Sequence, residues 1–371
     1  MNLPLKLPYA IRDFEKLITE DYYYVDRTDH IRVMEQLGSE LLLLRPRRFG
    51  KSLWLSTLMN YYDLAKAEDF DRLFGKLAIG QNPTGLQNRY LVMRWDFSQV
   101  QSHGTSADIE QALHDHINVQ IEKFHRYYRA FLADQSTIRP ENALYSFDSL
   151  LGIIRAAGHK LYLFIDEYDN FANEVMMGAG GQNRQRYNDL VTGEGMFKTF
   201  FKNVKSAGSG EGLDRVFMTG VSPIVMSDVS SGANVTKNVS WHPYLSDLCG
   251  FHHAEVRTMV DRVSAGCGLP PEKADEAMEM LRLFYNGSRF VLRHPEQTPP
   301  VYNPTLVFYF LEEFQQFCLY PEEMLDSNLD PDYNKLVFIS SYPTGRTLLT
   351  DILSEEKVVG VDSVDERFGV R

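Results

Sequence analysis

The run Leu41-Leu42-Leu43-Leu44, followed by Arg45-Pro46-Arg47-Arg48-Phe49-Gly50-Lys51-Ser52, constrains this chain more than any other stretch. Four consecutive leucines suit a strand covered on both faces. The basic loop after them closes on Gly-Lys-Ser, and a helix-compatible segment begins at once. That order is the layout of a phosphate-binding loop, G-x-x-x-x-G-K-[ST], with Arg45 where the first glycine of the pattern would stand. In such a loop backbone N–H groups and a helix N-terminus surround anionic oxygens. Gly50 lets the backbone come close without a Cβ, Lys51 reaches the β- and γ-phosphates, and the Ser52 hydroxyl holds Mg2+. Arg47, Arg48, Phe49 and Leu53 complete the expected nucleotide contacts. The plain alternative is a basic turn between a strand and a helix.

A second motif lies far downstream. Lys160 to Asp166 is a nearly all-apolar strand, and Phe164-Ile165-Asp166-Glu167 ends it in two adjacent acids. Such a pair suits triphosphate hydrolysis, with Asp166 fixing the Mg2+ shell and Glu167 orienting or activating water. Acids at a strand end also serve as solvated turns or caps. Ligands gather at the C-terminal ends of parallel strands, so two motifs at such ends support each other. Asp169 reads as a cap for the next element. A further strand, Arg215 to Thr219, runs into Gly220-Val221-Ser222-Pro223. Thr219 is the candidate sensor of the γ-phosphate, Ser222 the second, and both equally suit a self-satisfied turn.

The remaining pattern alternates. A helix over Lys51 to about Asp63 places Leu55, Leu58, Met59 and Tyr62 on one face. A strand spans Tyr90 to Phe97, an amphipathic segment Ser106 to about Leu132, and helices lie near 147–157 and 195–205. Glycine patches around 178–181 and 208–212 read as loops. Strands alternating with helices predict an α/β fold, a P-loop NTPase with a mostly parallel sheet flanked by helices. From about Phe251 helical segments dominate, near 253–264, 271–285 and 304–317. The expected division is an α/β domain over 1–244, a smaller, mostly helical domain over 245–353, and a linker or truncated tail over 354–371.

Composition bounds the partners. The chain of 371 residues carries a formal net charge of −12, which argues against a surface coated in nucleic acid. The basic and aromatic run His125-Arg126-Tyr127-Tyr128-Arg129 has the mixture found on nucleic-acid surfaces, but on an amphipathic helix it equally makes a half-solvated face. Cys249, Cys267 and Cys318 read as reduced thiols of a cytoplasmic protein, too scattered for a disulfide framework or zinc site. Met1 to Tyr9 lacks a signal-peptide core, and no apolar run approaches the ~20 residues that span a bilayer. Arg47 and Arg48 have three readings: phosphate neutralisation, an arginine finger toward a neighbouring subunit, or pairing with nearby acids. Tyr24, Asp26 and Thr28 read either as base contacts or as a packed aromatic cluster.

Taken together, Tyr22–Thr28 (YYYVDRT), Leu44–Leu53 (LRPRRFGKSL), Asp96-Phe97-Ser98, Phe164–Tyr168 (FIDEY), Thr219–Pro223 (TGVSP), Cys249-Gly250-Phe251 and Tyr302-Asn303-Pro304 resemble the bacterial AAA-ATPase-like family. The resemblance covers roughly residues 5 to 310. In that family the loop typically reads R-P-R-R-F-G-K-S, so Arg45 conforms to it, and the P-loop domain is often followed by a PD-(D/E)XK nuclease domain. The resemblance implies ATP rather than GTP, phosphate contact at Lys51 and Ser52, and the acidic pair at Asp166 and Glu167. No P-D…(D/E)-x-K arrangement is seen toward the end of the sequence, so a nuclease activity would come from a partner or a missing part. The leading expectation is a Mg2+-dependent ATPase whose nucleotide state moves the helical domain. The alternatives are a switch that binds ATP with little hydrolysis, and the ATPase module of a nucleic-acid-directed defence or mobile-element system. A homo-oligomer or a protein partner is compatible with each.

Overall fold

The computed structural model describes residues 4–102, 104–170, 196–207, 212–222 and 236–324, with 346, 347 and 350. The glycines at 178–181 and 208–210, Pro223 and the tail 354–371 lie outside the described residues. Strands β1 (Glu40–Leu44), β2 (Leu91–Asp96), β3 (Leu161–Asp166), β4 (Leu213–Gly220) and β5 (Lys237–Asn238) form one parallel sheet in the order β2-β3-β4-β1-β5. All six residues of β3 are buried, as an apolar run between two strands and two helical layers must be. The register sets Leu44 opposite Gly220, Ile165 opposite Met218, and Asp96 opposite Asp166. The C-terminal ends of β1 to β4 therefore meet at one edge, which is where parallel α/β sheets collect ligands.

In chain order the helices are α1 (Phe14–Thr19), α2 (His30–Leu37), α3 (Lys51–Tyr62), α4 (Phe70–Phe74), α5 (Ala78–Gln81), α6 (Ser106–Tyr127), α7 (Ala143–Ala156), α8 (Met196–Ala207), α9 (His253–Gly266), α10 (Pro271–Tyr285) and α11 (Pro304–Phe317). Helix α6 starts at a capping box, Thr105 with Asp108. Its Ile109, Leu113, Ile117, Ile121 and Phe124 then recur on one buried face. Each such side chain contributes roughly 1.5–3 kcal/mol on burial. The predicted segment reached further, to about Leu132, but the helix stops at Tyr128, whose hydroxyl is drawn inward to Asp63 (2.8 Å). Elements that periodicity did not reveal are α1, α2, α4, α5 and β5: the four helices span eight residues or fewer, and β5 has two exposed edge residues.

Buried side chains form two clusters. The larger surrounds the sheet, and the smaller is built from α9, α10 and α11 with Leu5 and Leu7 from the N-terminal segment. That segment is tied to α11 by Gln315, which accepts from Leu5 N–H (2.8 Å) and donates to Leu5 O (2.9 Å). Arg27 adds a bidentate pair to Glu255 of α9 (both 2.7 Å). The expectation of three reduced thiols is corrected here. Cys267 and Cys318 are joined in a disulfide, with Cα atoms 5.5 Å apart across 51 residues of sequence, and only Cys249 is a free, buried thiol. Cys267 and Cys318 are the residues that end α9 and α11, so packing sets the C-terminal ends of these two helices side by side, a proximity that spacing along the chain does not express. Among the described residues no helix is long and apolar enough to cross a membrane.

Candidate functional site

Strand β1 delivers the loop 45–50 to the sheet edge, and α3 carries it away. Arg45 is 1% exposed. Its Nη1 donates to the carbonyls of Leu44 (2.8 Å) and Ser240 (2.7 Å), and its Nη2 to that of Leu245 (2.7 Å). The guanidinium also lies 4.1 Å from the ring centroid of Phe290, and Phe49 packs edge-on against the same ring at 5.4 Å. Burial lowers the Arg45 pKa to about 10, so the group stays charged. Arg45 is a strut behind the loop, not a substitute for a glycine facing the ligand. On the open side Gly50 has φ +91°, a left-handed value that favours glycine, and a Cβ there would meet nothing within 4 Å. Lys51 is buried, and its Nζ donates to the carbonyls of Arg45 (2.9 Å) and Pro46 (3.0 Å). Burial holds its pKa below the ordinary lysine value, opposed chiefly by the nearby Glu167.

Across the sheet edge stand the acids. Asp166 is buried at the end of β3, where its Oδ1 accepts from Thr219 Oγ1 of β4 (2.5 Å). Its Oδ2 accepts from Arg94 Nη2 of β2 (2.7 Å), a nitrogen that also donates to Asp96 Oδ2 (3.0 Å). Glu167 follows in the left-handed region, φ +49°, which is costly for a side chain of this kind. Burial, and then the charge of Asp166, raise its pKa above the usual carboxylate value. Asp169 is buried and accepts from the N–H groups of Val221 (3.1 Å) and Ser222 (2.6 Å). It thus caps the turn after β4; the residues that follow it from 171 lie outside the described residues. Tyr168 donates its hydroxyl to Ser222 O (2.6 Å), so the Ser222 backbone belongs to the turn, while the Thr219 side chain is hydrogen-bonded to Asp166. Gly220 is required there, because a Cβ would lie 2.5 Å from the Tyr168 ring.

A cavity of about 430 Å³ opens between these parts, lined by Arg12, Arg47, Arg48, Ser52, Glu167 and Thr305 among others. Lys51 and Gly50 also face it. A smaller apolar cavity of about 90 Å³ adjoins it behind Gly50 and Leu53, walled by Tyr24, Trp54 and Phe251. Asp26 and Thr28 are occupied structurally: Asp26 accepts from Ala78 N–H (2.7 Å) and Thr28 from Ile79 N–H (3.1 Å). Arg47 donates to Asn170 Oδ1 (3.1 Å), while the exposed Arg48 has φ +68° and its carbonyl accepts from Thr305 Oγ1 of α11 (2.8 Å). The run 125–129 is divided: His125 is buried against Ser136 and Tyr127 and Tyr128 donate to Asp63, while Arg126, Arg129 and much of Tyr127 are exposed.

The donor set defines what a cation site here would be. Ser52 offers a hydroxyl and Asp166 a carboxylate; both are hard oxygen donors, as Mg2+ requires. Among the described residues no group of three or more His, Cys, Asp or Glu side chains could hold a metal alone. Phosphate oxygens and water would have to supply the rest, which is how Mg2+ is ordinarily bound with a nucleotide. Residues that the sequence did not single out are Arg94, Phe290 and Thr305. Only Arg94 left a signal, a charged residue inside the apolar run of β2.

The sequence matches the profile of the AAA-ATPase-like family, described as predicted AAA-ATPases, over residues 8–230. It is 27% identical over 323 residues to an uncharacterized protein encoded in the vnfD 5' region of Azotobacter chroococcum mcd 1, covering 84% of this chain and 53% of that protein. The chain thus spans about half the length of that curated relative. Among solved structures it is similar to a Walker-type ATPase of Pyrococcus abyssi, with TM-score 0.47 and 13% identity over 96% of this chain and 80% of that one. It is also similar to Cdc6p of Pyrobaculum aerophilum, with TM-score 0.39 and 11% identity over 81% of this chain and 66% of that one.

Proposed function

From a chain that belongs to the family of predicted AAA-ATPases, we propose a Mg2+-dependent ATPase whose nucleotide state is transmitted to the helices α9–α11. One observation carries the reading. The ammonium of Lys51 is buried and held by two loop carbonyls, beside an open Gly50 and in a cavity that Glu167 also lines. A buried cation satisfied by neutral carbonyls gains when a phosphate oxygen replaces one of them. The first-turn N–H groups of α3 add donors and the positive end of the helix. Ser52 and Asp166 would hold Mg2+, which supplies charge neutralisation at the phosphates when bound. Glu167, which lines the cavity and has its pKa raised by burial, would orient or deprotonate a water there. Arg47, turned to Asn170, is available as a second positive group, and Thr219 fixes the orientation of Asp166. The apolar cavity walled by Tyr24, Leu53 and Trp54 suits the base.

The coupling has a structural basis in the same loop. Phe290 and Thr305 touch it directly, through Arg45, Phe49 and the Arg48 carbonyl. A loop that tightens on phosphate therefore moves groups to which the helical part is attached. In this reading the protein acts in the cytoplasm, and the exposed Arg48 is the residue to test as a finger across a homo-oligomer.

A second reading, a switch that binds ATP with little hydrolysis, is favoured by a different observation. Both oxygens of Asp166 are already engaged, by Thr219 and Arg94. One experiment separates the two: ATP binding by calorimetry and phosphate release on the same preparation, over a range of protein concentrations. Binding with turnover supports the ATPase, and binding without turnover at every concentration supports the switch. Loss of neither binding nor turnover in Lys51→Ala removes the site from both.

A further inference from the structure

The acid corner contains a cation of its own. Arg94 Nη2 lies 2.7 Å from Asp166 Oδ2 and 3.0 Å from Asp96 Oδ2, at the paired ends of β2 and β3. The Asp166 carboxylate is nearly inaccessible, and its other oxygen is taken by the buried hydroxyl of Thr219. That hydroxyl comes from an adjoining strand and cannot leave without disturbing the sheet. Arg94 can. Its side chain is 34% exposed and reaches Asp166 from the edge strand β2. Asp96 is well supplied with donors, accepting from Ser98 N–H (3.2 Å), Ser98 Oγ (2.6 Å) and Gln99 Nε2 (3.2 Å).

We propose that Arg94 is a positioning residue that holds the outer oxygen of Asp166 until Mg2+ arrives with the nucleotide, and then withdraws onto Asp96. The inference rests on the ATP-site reading above. Physically, a buried carboxylate at a strand end needs a counter-charge before the metal is present. A guanidinium supplies it and holds the acid in one orientation. The consequence is competition: Mg2+ must displace Arg94, and Asp96 sets how readily the arginine goes.

The test reads binding, not turnover. Calorimetric titration of ATPγS at a series of Mg2+ concentrations gives the Mg2+ level at which nucleotide affinity is half-enhanced. In Arg94→Gln that level should fall by about three- to tenfold, the range of a partly exposed charge-assisted contact. Arg94→Lys should restore most of the parental value. Asp96→Asn, which removes the alternative partner, should shift the level upward. A purely architectural Arg94 would lower the melting temperature of Arg94→Gln while leaving the Mg2+ level in place, and that result, or an upward shift, overturns the proposal. If the parent binds ATPγS neither with Mg2+ nor without it, the ATP-site reading itself fails and this inference falls with it. A parent that responds to Mg2+ beside an identical Arg94→Gln defeats the inference alone.

Discussion

The two ends of the site each place an arginine at the C-terminal edge of a strand, and the two arginines behave oppositely. At the loop end Arg45 is sealed from water and bonded to three neutral carbonyls, with an aromatic ring on its face. At the acid end Arg94 is one-third exposed and bonded to two carboxylates. Arg45 is sealed from water and donates only to backbone carbonyls, which no metal ion contests here, so it serves as architecture. Carboxylates accept any cation of suitable size, so Arg94 occupies a place that a metal can contest. Residue type did not decide these roles. The partners did, and the partners come from other strands and from α9–α11.

The largest effect that would break this contrast lies at the acid end. Glu167→Gln should retain ATP binding while phosphate release falls by about 10²- to 10⁴-fold, the usual span of a lost general base. Turnover equal to the parent would remove Glu167 from its assigned role. Next comes the loop end. Arg45→Met removes a donor from the carbonyls of Leu44, Ser240 and Leu245, at about 1–3 kcal/mol for each group left unsatisfied before relaxation, so urea unfolding should show a loss of at least about 2 kcal/mol. Undiminished stability would mean that the strut is dispensable and that the two ends do not differ in kind. Thr219→Val is smaller, removing one donor to Asp166 at the cost of about 1 kcal/mol of stability. Its sharper readout is a weakened Mg2+ dependence of nucleotide affinity, since Asp166 loses its fixed orientation.

The smallest effect lies away from both ends and serves as a control. Asp247 accepts from His30 Nε2 (2.9 Å) and from His252 Nε2 (3.1 Å), joining α2 to the start of α9. Hydrogen bonding to Asp247 raises the His252 pKa above 6.5, and the two histidines hold the Asp247 carboxyl well below 3.8. A raised histidine pKa means that its stabilisation is complete below about pH 6.5 and fades as pH climbs through the raised value. A depressed carboxylate value means that its share is present above pH 3.8 and fades only as pH falls through the lowered value. The stability gap between parent and His252→Gln should thus be widest in mildly acidic buffer, at up to about 1 kcal/mol, and close toward alkaline pH. Thermal melts across that range, with a gap that widened on the alkaline side, would contradict the ion pair.

Much of this molecule was legible in its residue order. The four leucines before the loop, the apolar run into Asp166 and the period of α6 depend only on local pattern, because a doubly covered strand and a one-sided helix each impose their own spacing. The family profile over residues 8–230 takes in the motifs quoted from Tyr22 to Pro223, and those at 249–251 and 302–304 lie beyond it. What escaped was short, exposed or remote. Strand β5 is two exposed residues long, and its pairing with Leu41 and Leu42 is made by the rest of the sheet. The disulfide between Cys267 and Cys318 exists because two helix ends meet, and scattered cysteines gave no hint of it.

Sequence by itself determined the loop with its lysine, the strand that precedes it and the acids at 166 and 167, because these are local chemistries with fixed spacing. Tertiary structure alone decided what Arg45 and Arg94 do, which side of the loop is open, and that Phe290 and Thr305 lean on it. Those outcomes depend on which carbonyl, carboxylate or ring arrives from a distant part of the chain. No local pattern carries that information, since a side chain's role follows from the partners that folding places around it.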